Sequence, residues 1–265
     1  MQNIYKIPVG FIFYLWFVIL FIPFTFLWAA ICILVANFWP KKYEHKLRFF
    51  PRFWGWVAVR LIFSPVRVYH AEKAKEIPCI IISNHQSLFD ILAVLGFYPL
   101  DFLFLSKEEV FKIPLVGNAM RKVGYIPINR SSPKKAARSL EIVESEVRKN
   151  NRVLIYPEGT RSKDAKVMLP FKAGAFQVAE KGPFPILPIV LYGTQETRPM
   201  HSNILFFPHR IAIQILDPIM PNHELHPANK QSKLSEKDKL VGIRAMLEKV
   251  YLQLAANNGK APAQV

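Results

Sequence analysis

Acidic residues and cysteines are scarce in this chain of 265 residues. Only 19 Asp and Glu stand against 35 Lys and Arg, which gives a formal net charge of +16. Such an excess of positive charge indicates anionic partners, for example nucleic acid, anionic lipid or a phosphorylated substrate. There are only two cysteines, and their positions in apolar runs favour small buried thiols over a disulfide.

The sequence also lacks the usual signatures of a metal site or a nucleotide-binding site. Its seven histidines are scattered, and there is no metal-ligand cluster and no glycine-rich nucleotide loop. We therefore expect neither a metal nor a bound cofactor. Nucleic acid is not expected as a partner, because no nucleic-acid-binding motif or basic and aromatic platform accompanies the positive charge.

Charged residues are absent from Ile7 to Pro40, a stretch dominated by Phe, Leu, Ile, Val and Trp. A transmembrane helix needs about 20 such residues, and the run is too long for a signal peptide. We predict a membrane anchor, formed either by one tilted helix or by a hairpin of two shorter helices divided at Pro23. The hairpin is favoured, because each half is too short to span comfortably, and it predicts a monotopic protein.

A basic segment follows the apolar run. From Lys41 to Arg67 it contains seven Lys and Arg residues against the single acid Glu44. Apolar side chains share one helical face there and Arg52 and Arg60 lie opposite, which is typical of a helix in the membrane interface with its basic side toward anionic headgroups. The positive flank predicts that the following domain lies on the cytoplasmic face.

The rest of the chain alternates short apolar runs with helical patterns, which is typical of an α/β fold. Because most of the runs are continuous, we predict a mostly parallel central sheet flanked by helices. Predicted strands are Cys79–Ser83, Asp101–Leu105, Val123–Ile128, Val153–Tyr156, Ile186–Leu191 and Ile211–Leu216, and predicted helices are Ser132–Asn150 and Lys237–Ala256. The predicted domains are an anchor with its basic helix (1–67), an α/β domain (68–256) and a disordered tail (257–265).

The segment NHQSLFD, residues 84–90, follows the first predicted strand. A histidine can take a proton from a hydroxyl near neutral pH, and a carboxylate can fix its tautomer. Five positions inside one helix would put His85 and Asp90 on different faces, so they meet only if His85 lies in the loop before the helix. Ser87 and Asp90 also fit a helix-capping pattern, and the alternative is that Asp90 only caps the helix.

Cations follow several other predicted strands. The motif YPEGTRS at 156–162 offers a guanidinium fork suited to phosphate and a glycine that permits close backbone approach. Each of these cations, taken alone, is most simply interpreted as a solvated side chain on the surface. Four cations predicted beside one His–Asp pair instead favour a phosphate pocket next to a general base. The four are Lys107, Arg130, Arg161 and Lys172.

Taken together, these motifs resemble the 1-acylglycerol-3-phosphate O-acyltransferases of the glycerolipid acyltransferase superfamily. Four blocks match in order: Asn84-His85-x4-Asp90, Gly124-x5-Arg130, Pro157-Glu158-Gly159-Thr160-Arg161 and Leu187-Pro188-Ile189. By motif the resemblance covers residues 78–192. It implies a function in phospholipid biosynthesis, in which a fatty acyl group passes from acyl-CoA or acyl carrier protein to the sn-2 hydroxyl of lysophosphatidic acid and gives phosphatidic acid.

The resemblance also implies roles for individual residues. His85 would be the base that removes the proton from the hydroxyl, and Asp90 would orient its ring. The acceptor phosphate would be bound by Arg130, Glu158, Gly159, Thr160 and Arg161. Lys107 would contact the oxyanion or the donor, and Gly124 and Pro188 would shape the site. The implied partners are lysophosphatidic acid, the acyl donor and anionic membrane lipid, with no metal.

Two alternatives remain open from the sequence. One is an acyltransferase for another lysolipid acceptor, which the four blocks do not exclude. The other is a non-catalytic membrane-surface binding protein, against which the intact His85 and Asp90 pair argues.

Overall fold

The computed structural model describes residues 6–162, 167–198 and 206–261 of the chain. In this part the helices are α1 (Lys6–Phe38), α2 (Phe49–Leu61), α3 (Phe89–Phe97), α4 (Val116–Lys122), α5 (Pro133–Arg148), α6 (Gly174–Lys181), α7 (Thr194–Thr197) and α8 (Glu236–Ala256). The strands are β1 (Val66–Tyr69), β2 (Cys79–Ser83), β3 (Leu103–Lys107), β4 (Ile126–Ile128), β5 (Arg152–Ile155), β6 (Ile186–Tyr192) and β7 (Ile211–Ile215).

The strands form one sheet in the order β1-β7-β6-β2-β5-β3-β4. Strands β6, β2, β5, β3 and β4 run parallel, whereas β7 pairs antiparallel with β6 and parallel with β1. The predicted fold class is confirmed. Because β2 and β5 are parallel neighbours, the loops that follow them leave the same edge of the sheet side by side.

The predicted strands agree with the structure to within two residues, with two exceptions. Gly124 adopts φ +84° in the turn after α4, so β4 begins only at Ile126. Strand β1 is an edge strand that the hydrophobic pattern does not predict, since its four residues include Arg67. The predicted division between residues 67 and 68 falls inside β1, and the domain boundaries stay a prediction.

The two helices predicted from sequence are present as α5 and α8. Ser132 caps α5, because its hydroxyl accepts a hydrogen bond from the Lys135 amide at 3.3 Å. Of the tail predicted to be disordered, residues 257–261 are described, and the Tyr69 hydroxyl donates to the Gly259 carbonyl at 3.1 Å. Residues 262–265 of that tail lie outside the described residues.

Helix α1 is continuous from Lys6 to Phe38 and contains Pro23 in its middle. The hairpin favoured from the sequence is therefore wrong. Proline removes one backbone donor from a helix, but both halves of α1 pack on the same support and stay aligned. By length and composition α1 is long enough to cross a membrane, a test that core helices and signal sequences also pass.

Helix α1 packs on helix α2 and on the α/β domain. The Phe206 amide donates to the Gly10 carbonyl of α1 at 3.1 Å. Three indole groups join α1 to α2: Trp16 Nε1 donates to Leu61 O at 3.0 Å, Trp28 Nε1 to Phe50 O at 2.9 Å and Trp54 Nε1 to Thr25 Oγ1 at 2.8 Å.

Helix α2 in turn crosses α3 at a pair of glycines. A Cβ on Gly55 would lie 2.6 Å from the Leu92 carbonyl oxygen, and one on Gly96 would lie 2.6 Å from the Trp56 amide nitrogen. Only glycine permits this approach of two backbones. The crossing fixes α3, whose first turn carries Asp90.

Two cations of the basic segment contact protein. Arg48 Nη1 lies 2.8 Å from Asp101 Oδ2, and Arg52 Nη1 donates to the Pro99 carbonyl at 3.1 Å. Arg60 is exposed and lies 5.6 Å from the centre of the Trp56 ring. Of the two arginines predicted to face headgroups, the prediction is therefore wrong for Arg52, because its guanidinium docks on the loop after α3.

Candidate active site

His85 and Asp90 form a hydrogen-bonded pair at the end of β2. His85 lies in the loop before α3, as predicted, and its Nδ1 is 2.8 Å from Asp90 Oδ2. The Asp90 carboxylate is completely buried, whereas the His85 side chain keeps 13% of its surface exposed. The geometry therefore combines a buried partner with a base that solvent and substrate can reach.

The buried Asp90 carboxylate is stabilised by four donors. Its Oδ2 also accepts from the backbone amides of Gln86 at 2.6 Å and Ser87 at 2.8 Å, and its Oδ1 accepts from the Thr194 hydroxyl. The Ser87 hydroxyl accepts from the Phe89 amide at 3.3 Å, so this end of α3 is also capped. Asp90 therefore has both roles that the sequence suggested: it accepts from the Ser87 amide at the start of α3, and it orients His85.

This arrangement fixes the tautomer of His85. An ionised carboxylate only accepts hydrogen bonds, so the proton of the neutral imidazole lies on Nδ1. The other ring nitrogen, Nε2, then carries the lone pair that can take a proton. A base oriented in this way by a buried carboxylate is the arrangement that activates a hydroxyl group for attack.

The loop after β5 holds the backbone of His85 on both sides. Glu158 Oε1 accepts a hydrogen bond from the His85 amide at 2.7 Å, and the Ser162 amide donates to the His85 carbonyl at 2.8 Å. The second oxygen of Glu158 accepts from the Leu169 amide at 2.8 Å. Glu158 was predicted to bind the acceptor phosphate, but it is buried and bound to backbone, where it positions the base.

Burial raises the pKa of Glu158 to about 7, and the charge of Asp90 acts in the same direction. The two backbone amides that donate to Glu158 oppose this shift, because they stabilise the ionised form. The carboxyl group that positions His85 therefore changes its charge near neutral pH.

Tyr156 stacks on the imidazole of His85. The two ring centres lie 4.0 Å apart and the planes differ by 9°. The Tyr156 ring is buried, and its hydroxyl has no hydrogen-bond partner among the described residues. The stack therefore holds the plane of the imidazole ring from one face.

The predicted cations occupy different places around this pair. Arg130 donates to the Gly159 carbonyl, and the Lys172 side chain lies over the same glycine, where a Cβ would meet its Nζ at 2.9 Å. Gly159 has φ +71°, a conformation that favours glycine. Lys107 ends β3, where it is exposed and lies 3.4 Å from Glu109.

The remaining residues predicted for the site are spread more widely. Arg161 is half-buried and Thr160 is exposed in the loop after β5. Gly124 lies before β4, at the strand end opposite to Arg130. Pro188 is buried inside β6 and its carbonyl accepts from the Leu216 amide at 3.0 Å. Gly124 and Pro188 therefore shape the sheet rather than touch the catalytic pair.

Sequence reasoning missed three contributors to the site, which are Tyr156, Thr194 and Arg198. Thr194 is the first residue of α7 and donates to Asp90, and Arg198 directly follows the last residue of α7. The position of Tyr156, directly before the Pro-Glu-Gly block, was a usable signal for a side chain at the site. Thr194 and Arg198 lie beyond the four blocks and carry no local signal.

An apolar cavity of about 380 Å³ adjoins the loop of the catalytic pair. Its wall is formed by residues of α1, α2, α3, β3 and α4, including Phe17, Trp54, Leu88, Phe89 and Phe104. Phe104 lies 5.8 Å, ring centre to ring centre, from Tyr156, which stacks on His85. The cavity therefore extends from helices α1 and α2 to the neighbours of His85, and its lining is almost wholly apolar.

The mostly parallel sheet carries a His–Asp pair at its carboxyl edge. Residues 65–192 match the family model described as Acyltransferase. The histidine and aspartate of the first block and the cations of the next two blocks all lie within the matched residues.

More particularly, the chain is similar to 1-acyl-sn-glycerol-3-phosphate acyltransferases, and the resemblance predicted from the four blocks is confirmed. It is 33% identical over 171 residues to a chloroplastic enzyme of this name from Brassica napus, covering 64% of this chain and 48% of that one. It is 38% identical over 112 residues to the Helicobacter pylori enzyme, covering 42% and 47%. The chain spans about half the length of these curated relatives.

A solved structure extends the similarity to the whole chain. The 1-acyl-sn-glycerophosphate acyltransferase PlsC of Thermotoga maritima superposes with a TM-score of 0.78 at 25% identity. The match covers 95% of this chain and 98% of that one, so it includes the N-terminal helices as well as the sheet.

Replacing Tyr156 tests the stacking contact. Tyr156→Phe keeps the ring and removes a buried hydroxyl without a partner, so activity should be retained and stability unchanged or raised by about 1 kcal/mol. Tyr156→Leu removes the aromatic face that holds the plane of the imidazole, so the ring of His85 should be less well oriented and kcat should fall about tenfold in the Leu variant only. Steady-state kinetics of the two variants measure this. Equal kcat values in both variants would show that the stack does not orient the ring.

Glu158→Gln tests the hydrogen bonds that the Glu158 carboxylate accepts from the backbone amides of His85 and Leu169. An amide can accept from only one of the two N–H groups, so one charge-assisted hydrogen bond worth about 1.5–3 kcal/mol is lost and turnover should fall at least about tenfold. The wild-type carboxyl has a raised pKa in the folded protein, so its contribution to stability falls as pH rises from 4.5 to about 7. Thermal unfolding measured across this range should be less pH-dependent in the Gln variant, and an unchanged slope would contradict this prediction.

Proposed function

We propose that the protein transfers a fatty acyl group from acyl-CoA or acyl carrier protein to the sn-2 hydroxyl of lysophosphatidic acid, and so makes phosphatidic acid for phospholipid biosynthesis. The observation that carries the proposal is the oriented His85–Asp90 pair beside an apolar cavity and surrounded by cations. The names of the relatives with the same acyltransferase domain support it.

The chemical steps follow from the geometry. His85 Nε2 takes the proton of the acceptor hydroxyl, and the oxygen attacks the carbonyl carbon of the donor thioester. The carbon–sulfur bond then breaks, the new ester is released, and the proton on His85 passes to the leaving thiolate. The attacking hydroxyl belongs to the substrate, so this route needs no acyl-enzyme. Both donors carry the same thioester group, and the route is identical for each.

The roles of the surrounding residues complete the proposal. The cavity would hold a hydrocarbon chain, since its lining is almost wholly apolar. The half-buried Arg161 would bind the phosphate of the acceptor as a charge-assisted fork. Arg130 and Lys172 would hold the turn at Gly159 that presents Arg161. Binding the phosphate fixes the distance between the acceptor hydroxyl and the base, which lowers the entropic barrier to reaction.

Membrane attachment is part of the proposal. Large apolar side chains of α1 that face away from the protein are exposed, among them Ile12, Ile19, Leu27 and Leu34. In a bilayer these side chains would be buried in hydrocarbon, and the net positive charge would attract anionic headgroups on the cytoplasmic face. A site at the bilayer surface receives a lipid acceptor without transferring its chain through water.

The proposed activity is tested by supplying purified protein in anionic vesicles with labelled acyl-CoA and a panel of acceptors. Lysophosphatidic acid should be acylated faster than lysolipids with larger headgroups, because they lack an exposed phosphomonoester. His85→Ala should abolish turnover, and Asp90→Asn should reduce it strongly, while Thr160→Ala in the exposed turn should keep a measurable rate. Normal turnover in His85→Ala would exclude the mechanism, and preference for another acceptor would reassign the substrate.

The proposed attachment is tested by washing membranes that contain the full-length protein. Burial of the exposed side of α1 in hydrocarbon does not depend on ionic strength, so high salt and carbonate should leave the protein in the pellet. A variant with Asp at Ile12, Ile19 and Leu27 should be released, because charge on that side is costly in hydrocarbon. Release of the unchanged protein by salt alone would show that the attachment is electrostatic.

A further inference from the structure

Arg198 lies in the wall of the apolar cavity, and of the described residues in that wall it is the only charged one. Its guanidinium carbon is 5.9 Å from the centre of the buried Phe206 ring. The Ser87 hydroxyl donates to the Arg198 carbonyl at 3.3 Å, which joins this residue to the loop that contains His85. The guanidinium thus lies where the hydrocarbon compartment meets the catalytic loop.

The positive charge of a second arginine, Arg161, acts on Arg198. Burial, and after it the positive charge of Arg161, lower the pKa of Arg198. Arg161 is adjacent to Ser162, whose amide donates to the His85 carbonyl at 2.8 Å. Ser87 donates to the carbonyl of Arg198, so both arginines border the loop of residues 85–87. Two like charges beside one loop are stabilised when an anion lies between them.

The other cations near the site have different contacts. Arg130 donates to the Gly159 carbonyl, and the Lys172 side chain covers the same glycine. Lys107 lies beside Glu109 at 3.4 Å. Arg161, in the loop after β5, and Arg198, directly after α7, reach the loop of residues 85–87 from different elements, so one anion beside that loop can contact both. A phosphomonoester carries a charge of about −1.5 to −2 at pH 7, which two guanidinium groups match.

We infer that Arg198 and Arg161 together bind a phosphate group of a substrate whose hydrocarbon chain lies in the cavity, and that Arg198 determines specificity for a phosphorylated amphiphile. The inference rests on the proposed function and adds to it a binding residue outside the four sequence blocks. Both co-substrates carry phosphate, the acceptor as a monoester and the acyl donor within its carrier, and separate kinetic measurements distinguish them.

The experiment compares the wild type with Arg198→Ala, Arg198→Lys and the control Arg138→Ala, which changes an exposed arginine on α5. Arg198→Ala should raise the KM of the one substrate whose phosphate contacts Arg198 by about ten- to a hundredfold, the loss expected for one charge-assisted contact. The KM of the second substrate, whose phosphate lies elsewhere, should stay within about twofold. Arg198→Lys should recover part of the loss, since it restores the charge but not the planar fork. Arg138→Ala should behave as the wild type.

The pattern of KM values identifies the source of the phosphate. A selective rise for lysophosphatidic acid assigns the pair to the acceptor, and a selective rise for acyl-CoA assigns it to the donor. Both results support a phosphate-binding pair. In the first case the preference for lysophosphatidic acid over monoacylglycerol should fall by the same factor. If Arg198→Ala leaves both KM values unchanged, or raises both by the same factor, the inference is wrong.

A binding measurement separates this inference from the proposed function. sn-Glycerol 3-phosphate and inorganic phosphate are titrated by calorimetry into the full-length protein and into Arg198→Ala and Arg198→Gln, after thermal unfolding has shown that the variants are folded. Binding that is lost in both variants supports the pair even if the wild type fails to acylate lysophosphatidic acid. Equal binding in the wild type and both variants overturns it even if the acyl transfer is confirmed.

Discussion

The position of His85, the proposed base, depends on two hydrogen bonds made by its backbone. The amide of His85 donates to the Glu158 carboxylate, and its carbonyl accepts from the Ser162 amide. These bonds form because β2 and β5 are parallel neighbours, so that their loops leave the sheet together. The imidazole ring itself has two contacts: Tyr156 stacks on one face, and Asp90 is hydrogen-bonded to Nδ1. A base fixed through its main chain loses little orientation when the substrate enters.

Electrostatics at the site follow from burial. Asp90 is fully buried but accepts hydrogen bonds from an imidazole, two amides and a hydroxyl, which compensate for its lost hydration. Glu158 has only two backbone donors, and its pKa rises to about 7. The raised pKa of Glu158 is due first to its burial, which its two amide donors offset only in part.

Much of the fold and part of the site could be predicted from the sequence. Continuous Ile and Val runs located β2 and β6, and the geometry of a helix required His85 to lie in the loop before Asp90. The partners of the pair could not be predicted, because Glu158 is 73 residues from His85 and Thr194 is 104 residues from Asp90. Such contacts require the strand order. The prediction of a hairpin at Pro23 was wrong because it relied only on the local effect of proline, which tends to break helices. Packing along α1 keeps the helix continuous through Pro23.

The wall of the apolar cavity is contributed by both parts of the chain, with Phe17, Phe21 and Trp28 from α1 facing Phe89 and Leu92 from α3. The hydrocarbon compartment therefore exists only when the N-terminal helix is folded against the sheet domain. Removing that helix to gain solubility would expose this lining to water and leave the catalytic pair without its lipid-binding wall. The N-terminal helix and the sheet domain therefore build this cavity together.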